Sequence, residues 1–231
     1  MLGKIALESM SIAVKLGFKD LVVTPEDVAR YAGGSHYRPD AERKKLAADI
    51  LECASVLVQP AFIYAVHHIN TMGPVSLFLP PDETDAGTVF IAAAVCTIGP
   101  ELEKETSNLM AQGRSLDALF LDAASVALLE ALSDEAYAHL KNEAAKEDLY
   151  AGCRFGPGYG NIPINAQKSL FESVNPEAIG VHLRESGIIF PLKSLSFWIR
   201  WTSQPPIEGS TYKCQNCTMK NCAYRIALSL R

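Results

Sequence analysis

The ten residues Val89–Ile98 (VFIAAAVCTI) run without a charge. A run of this length with no polar face is what a buried central strand requires. A second stretch, Leu116 to Leu132, is apolar almost all round at helical spacing, so it should be the most buried helix. Of the 231 residues, 48% are hydrophobic, enough for a substantial core.

The other elements follow from local signals. Thr24-Pro25-Glu26-Asp27 is a helix start: a capping hydroxyl, a proline suited to the first turn, and two acids at the positive helix end. Gly33-Gly34 ends that helix. Asp40 opens a longer one, with Leu46, Ile50, Leu57 and Val58 near one face, and Pro60 stops it. A short helix through Tyr64 and His68 is expected next, then a strand over Val75 to Leu79. Gly99 leads into a polar helix, Glu101 to Gln112, and Ser115 caps the apolar helix. A further helix is expected around Ala166 to Val174. Ser194 to Trp201 alternates in polarity, as an antiparallel strand does. Strands do not alternate regularly with helices, so the fold class is α+β with a largely antiparallel sheet, not a doubly wound parallel one. Gln204-Pro205-Pro206 reads as a hinge, dividing the chain into 1–205 and a tail, 206–231.

The formal charge of −5 argues against a general nucleic-acid binder. No apolar run is long enough for a bilayer. Met1 to Lys19 alternates apolar residues with Lys4, Glu8 and Lys15, which reads as an amphipathic helix and not a signal peptide. A cytoplasmic location is expected, with the six cysteines as thiols or metal ligands.

Ten residues carry the strongest functional signal: Arg154-Phe155-Gly156-Pro157-Gly158-Tyr159-Gly160-Asn161-Ile162-Pro163. Glycines let a backbone bend and approach a ligand, and prolines stiffen the flanks. Arg154 adds a planar donor fork suited to a carboxylate. The set fits a small zwitterionic or anionic ligand; the alternative is a rigid turn with a surface charge.

The pattern Arg154-x-x-Pro157-Gly158-Tyr159-x-x-x-Pro163 resembles the signature of the activation domain of cobalamin-dependent methionine synthase. Gln167–Val174 is similar to that family's next helix. Gly187-Ile188-Ile189-Phe190-Pro191 and Lys193-Ser194-Leu195-Ser196-Phe197 are similar to its Pro…Ser-x-Ser strand. Ala94–Gly99 and Leu116–Leu132 resemble segments of smaller, free-standing relatives. The resemblance spans about residues 25 to 203. It implies a bent sheet with packed helices and a bound S-adenosylmethionine. In that reading Arg154 pairs with the ligand carboxylate, and Pro157, Gly158 and Tyr159 flank it.

Asp122 and Glu130 interrupt the apolar helix, two turns apart. Both either reach the helix surface or one holds a ligand's cationic region. The resemblance implies an acid on this helix in the site, and Glu130 is the better positional match; Asp148 aligns with a second family acid. His36, His67, His68, His139 and His182 form no ligand motif, and Cys53 and Cys96 read as core residues.

The tail carries Cys214-x-x-Cys217-x-x-x-x-Cys222, and Cys-x-x-Cys presents two thiolates to one zinc or iron–sulfur centre. Three cysteines leave a four-ligand site one short. Cys153, another side chain, a partner residue or an exogenous ligand would complete it. An iron–sulfur cluster is favoured over zinc. The activation domain lacks this element, so the tail departs from its pattern.

The resemblance implies a stand-alone protein that supports reductive remethylation of a corrinoid enzyme such as methionine synthase. The cobalamin would come from the partner and the electron from a donor protein, since the chain has no cobalamin-binding motif. It would take part in the methyl transfer, with no catalytic side chain of its own assigned. The alternatives are a metal-stabilised, zinc-knuckle-like binding module and a redox protein using the cysteine cluster alone.

Overall fold

A computed structural model describes residues 10–34, 36–71, 87–158 and 162–205. The expected strand over 75–79, Tyr159 and the cysteines of the tail lie outside the described residues.

The chain builds a five-stranded sheet in the order β1-β2-β3-β7-β4, with every neighbouring pair antiparallel. The strands are β1 (Ile12–Lys15), β2 (Ala61–His68), β3 (Thr88–Thr97), β4 (Tyr150–Phe155) and β7 (Ser194–Thr202). A two-stranded hairpin, β5 (His182–Leu183) with β6 (Ile189–Phe190), stands apart. The helices are α1 (Pro25–Gly33), α2 (Ala41–Leu57), α3 (Glu101–Ala111), α4 (Ser115–Lys146) and α5 (Ala166–Ser173). The α+β class with a largely antiparallel sheet is what the sequence implied.

The apolar run of β3 lies in the middle of the sheet because both of its faces are covered. Phe90, Ala92, Ala94 and Cys96 join the core beneath the helices, together with Phe62, Tyr64, Ile199 and Trp201. Ile91, Ala93 and Val95 join a second core with Ile63, Trp198 and Leu170 of α5. Small residues on β3 admit large ones beside them: Ala93 sits between Ala65 and Trp198 in register. α4 is the central helix, and α1, α2 and α3 all pack against it.

Local chemistry sets the helix starts. The Thr24 hydroxyl accepts from the Asp27 N–H at 3.2 Å, and the Asp27 carboxylate accepts from the Thr24 N–H at 3.1 Å. This is a reciprocal capping box. Asp40 caps α2 by accepting from the Arg43 N–H at 2.9 Å.

Several expectations need correction. The stretch through Tyr64 and His68 is strand β2, not a helix. Its aromatic and β-branched residues alternate between the two cores, Phe62, Tyr64 and Val66 against Ile63 and Ala65, which is the period of a strand. Ile12–Lys15, expected within an amphipathic helix, is the edge strand β1, paired with β2. Ile12 and Val14 are half-buried while Ala13 and Lys15 are exposed, the alternation of a half-buried strand. Ser115 is the first residue of α4 and not its cap; Arg114 precedes it without a side-chain cap. α4 does not stop near Leu132 but runs to Lys146. Cys53 is exposed, off the α2 face that buries Ala47, Ile50, Leu51 and Ala54, whereas Cys96 is buried as expected. Among the described residues, no helix is long and apolar enough to cross a membrane.

β4 leaves the sheet through Gly156, where backbones nearly touch. A Cβ at this position would lie 2.8 Å from the Ser196 carbonyl oxygen of β7. Gly156→Ala should therefore destabilise the protein by about 1–3 kcal/mol through overpacking. Urea unfolding of the two proteins checks this; equal midpoints would show that the β4–β7 contact yields freely.

Candidate functional site

Arg154, expected in a loop, is instead the last residue but one of strand β4, opposite Ile199 of β7. Ile199 faces the helices, so Arg154 faces them too. Its neighbour Phe155 is opposite Trp198 and faces α5, with ring centres 5.9 Å apart. Strand alternation thus aims the guanidinium at α4.

There the fork is held by two side chains. Nη1 donates to the Ser133 Oγ at 2.6 Å, and Nη2 donates to the Asp134 Oδ1 at 2.6 Å. The guanidinium carbon lies 5.4 Å from the Tyr137 ring centre and 5.9 Å from that of Phe197. Ser133 is buried, and the Asp134 side chain is 67% exposed. Arg154 is partly open, at 32%, so the site meets solvent.

Glu130 lies one turn before Asp134 on α4. Burial by surrounding protein raises its pKa although the residue stays open to water on one side. The Arg154 charge opposes that rise, and Asp134 adds to it. Tyr31 of α1 stands within the field of Glu130, and burial, followed by that field, lifts its hydroxyl to about 12. Cys96 lies beneath this group, and burial pushes its thiol far up, with Arg154 opposing. Arg154, Glu130 and Asp134 thus form a charged cluster, and Arg30 of α1 also acts on Glu130.

Beyond Arg154 the chain turns at Pro157-Gly158. Gly158 has φ of +83°, in the region that favours glycine, and its N–H donates to the Ile162 carbonyl at 3.0 Å. Pro157 is buried and Gly158 exposed. The turn carries the chain from the helix face to α5, where Gln167 donates to Ser196 at 2.6 Å.

The structure gathers some expected residues and separates others. Arg154 and Glu130 lie within each other's field, and Pro157 and Gly158 follow Arg154 along the chain. Asp122 does not join them: its carboxylate pairs with Lys193 at 2.7 Å, about two turns away along α4. Asp148, at φ of +57°, is exposed in the turn between α4 and β4. His67 and His68 diverge as adjacent strand residues do: His67 Nε2 is 2.7 Å from the Ser173 carbonyl, and the His68 ring lies edge-on to Phe90. Cys153, half-buried, precedes Arg154 on the edge strand β4. No group of three metal-ligating side chains occurs among the described residues.

Ser133, Asp134 and Tyr137 went unrecognised in the sequence. The signal was available: positions 130, 134 and 137 recur at helical spacing on one face. It lay beyond the point where the apolar run suggested that the helix ended. A separate cavity of about 740 Å³ lies between α5 and the β5–β6 hairpin, lined by Lys168, Phe171, Val181 and Arg184. It sits on the opposite face of the sheet from the Arg154 fork.

No protein-family model and no curated protein matches this sequence. The fold does match a solved structure, the crystal structure of the MetH reactivation domain bound to AdoHcy. The TM-score is 0.61 at 18% identity, over 86% of this chain and 79% of that one. The chain therefore has the fold of that reactivation domain.

The raised pKa of Glu130 has a stability consequence. The folded carboxyl keeps its proton to higher pH than the unfolded one, so the native state binds more protons in that window. Stability is then lost as pH rises from the ordinary glutamate value, about 4.3, through the raised folded value. Glu130→Gln should be more stable than wild type at pH 7, and the difference should vanish near pH 4. Urea melts at both values test this; a variant less stable at pH 7 would mean that attraction to Arg154 outweighs burial.

Proposed function

We propose that this protein binds S-adenosylmethionine through Arg154 and presents its methyl group to a corrinoid carried by a partner methyltransferase of the methionine synthase kind, in the cytoplasm. The observation behind this reading is the Arg154 fork beside the Pro157-Gly158 turn, in a fold whose solved counterpart was crystallised with AdoHcy.

The residues suit a molecule with a carboxylate and nearby positive charge. Arg154 offers N–H groups to the carboxylate. Glu130, whose ionised form is disfavoured in the free protein, gains when a cation settles beside it. Exposed Gly158 lets a ligand approach the backbone, and Tyr159 follows it in sequence. S-adenosylmethionine supplies the activated methyl group; the chain contributes binding and orientation, which can account for much of a transfer rate. The corrinoid belongs to the partner, and a donor protein supplies the electron for reductive remethylation.

We further propose that residues 206–231 form a separable metal-binding element, with Cys214, Cys217 and Cys222 as ligands and Cys153 as the fourth. Cys153 is half-buried on an edge strand beside Arg154. An iron–sulfur cluster is favoured over zinc, because zinc carries no electron.

Titration calorimetry with S-adenosylmethionine should give micromolar-range binding to wild type. Losing a charge-assisted contact costs on the order of 1.5–3 kcal/mol, so Arg154→Ala should bind about ten- to a hundredfold more weakly. Equal affinities would take Arg154 out of the site.

Anaerobic reconstitution should load iron and sulfide onto the full chain, less onto Cys153→Ser, and none onto a chain ending at residue 205. That shortened chain should stay soluble and still bind S-adenosylmethionine. Stoichiometric zinc in place of iron would eliminate the redox role.

A further inference from the structure

The Arg154 fork already grips a carboxylate, one supplied by the protein. Asp134 Oδ1 is 2.6 Å from Nη2, and the Ser133 hydroxyl is 2.6 Å from Nη1. A guanidinium has five N–H donors in a plane, arranged to meet a carboxylate through two parallel bonds. Asp134 and Ser133 together take one donor from each terminal nitrogen.

The two holders differ. Ser133 is buried, a fixed part of α4. The Asp134 side chain is 67% exposed and makes no other hydrogen bond among the described residues, so it can swing away into water. Glu130, one turn earlier, disfavours a second negative charge nearby, and Arg154, with Arg30 behind it, offsets this.

We infer that Asp134 is an internal competitor for the Arg154 fork: its carboxylate occupies the place that a ligand's carboxylate must take, and it sets the affinity of the site. The inference rests on the reading that Arg154 is the carboxylate anchor, and it adds a residue that acts against binding. Ligand entry exchanges one carboxylate for another on the same guanidinium, with Ser133 keeping the arginine in place throughout. The released Asp134 returns to solvent. The net affinity is then the difference between two similar contacts, and the site holds carboxylate ligands more loosely than Arg154 alone would.

Asp134→Asn is the test, since it keeps the shape of an exposed side chain and removes the charge. The first readout is modification of Arg154 by phenylglyoxal, followed by peptide mass spectrometry. It should be several-fold faster in Asp134→Asn, with other arginines unchanged. The second readout is calorimetry with the deamino analogue of S-adenosylhomocysteine, which has the carboxylate but neither ammonium nor sulfonium. This probe isolates competition for the fork from any attraction between Asp134 and a ligand cation. Exposed ion pairs are weak, so the variant should bind this probe roughly two- to fivefold more tightly than wild type. Unchanged labelling of Arg154 would overturn the inference, because the fork would not be held by Asp134. Faster labelling with equal or weaker probe binding would overturn it too, because the carboxylates would not compete. Faster labelling with no binding of the probe or of S-adenosylmethionine by either protein would instead refute the S-adenosylmethionine reading, and the competition with it.

Discussion

The burial of β3 on both faces is the constraint on which the rest of the molecule depends. A strand with no polar side must be covered twice, by α4 and its neighbours on one face and by α5 on the other. Its three consecutive alanines make this feasible. They leave room beside the strand for Trp198 and Phe197 of β7 and, on the other side, for Tyr64 of β2. Large residues on the flanking strands fill the volume that small ones on β3 leave. The sheet order places β4 outside β7, at an edge, where its last residues can leave the sheet and still be fixed by register.

That register carries the candidate site. Pairing Arg154 with Ile199 sends the guanidinium toward α4, and pairing Phe155 with Trp198 anchors the next side chain in the opposite core. A shift of one residue would exchange the two, burying a charge against α5. The close approach of Gly156 to β7 holds this register immediately before the turn. The site is thus built on a rigid strand and a long helix, with only its rim in the Pro157-Gly158 turn. Glu130 stands in the field of Arg154 and Arg30 and beside Asp134, and burial makes its ionisation costly.

Much of the scaffold was legible in the sequence because its signals are local. Thr24 and Asp40 announce their helices through hydrogen bonds to N–H groups three residues away. The alternation of Ser194–Trp201 and the apolar length of Val89–Ile98 report burial directly. Where two periods fit equally, local reading failed. The stretch Ala61–His68 is buried on both faces, so it showed no alternation of polarity to mark it as a strand. Ile12–Lys15 is too short to separate a strand from a helix by its pattern. The extent of α4 was hidden because its second half passes from the core to the surface and loses the apolar signature, although it continues for 32 residues in all.

The sequence by itself determined the class of fold and the central strand and helix, and it singled out Arg154, Pro157 and Gly158 as candidates for recognition. Those follow from polarity, caps and backbone freedom within a few residues. Only the tertiary structure decided which acid meets the arginine. Ser133 and Asp134 lie about twenty residues from Arg154, and nothing between them encodes the contact. It arises because β4 pairs with β7 in one register while α4 crosses the same face of the sheet. Asp122, from the same helix and as acidic as Asp134, was sent instead to Lys193. The choice between them is a matter of position along α4, which no local pattern records.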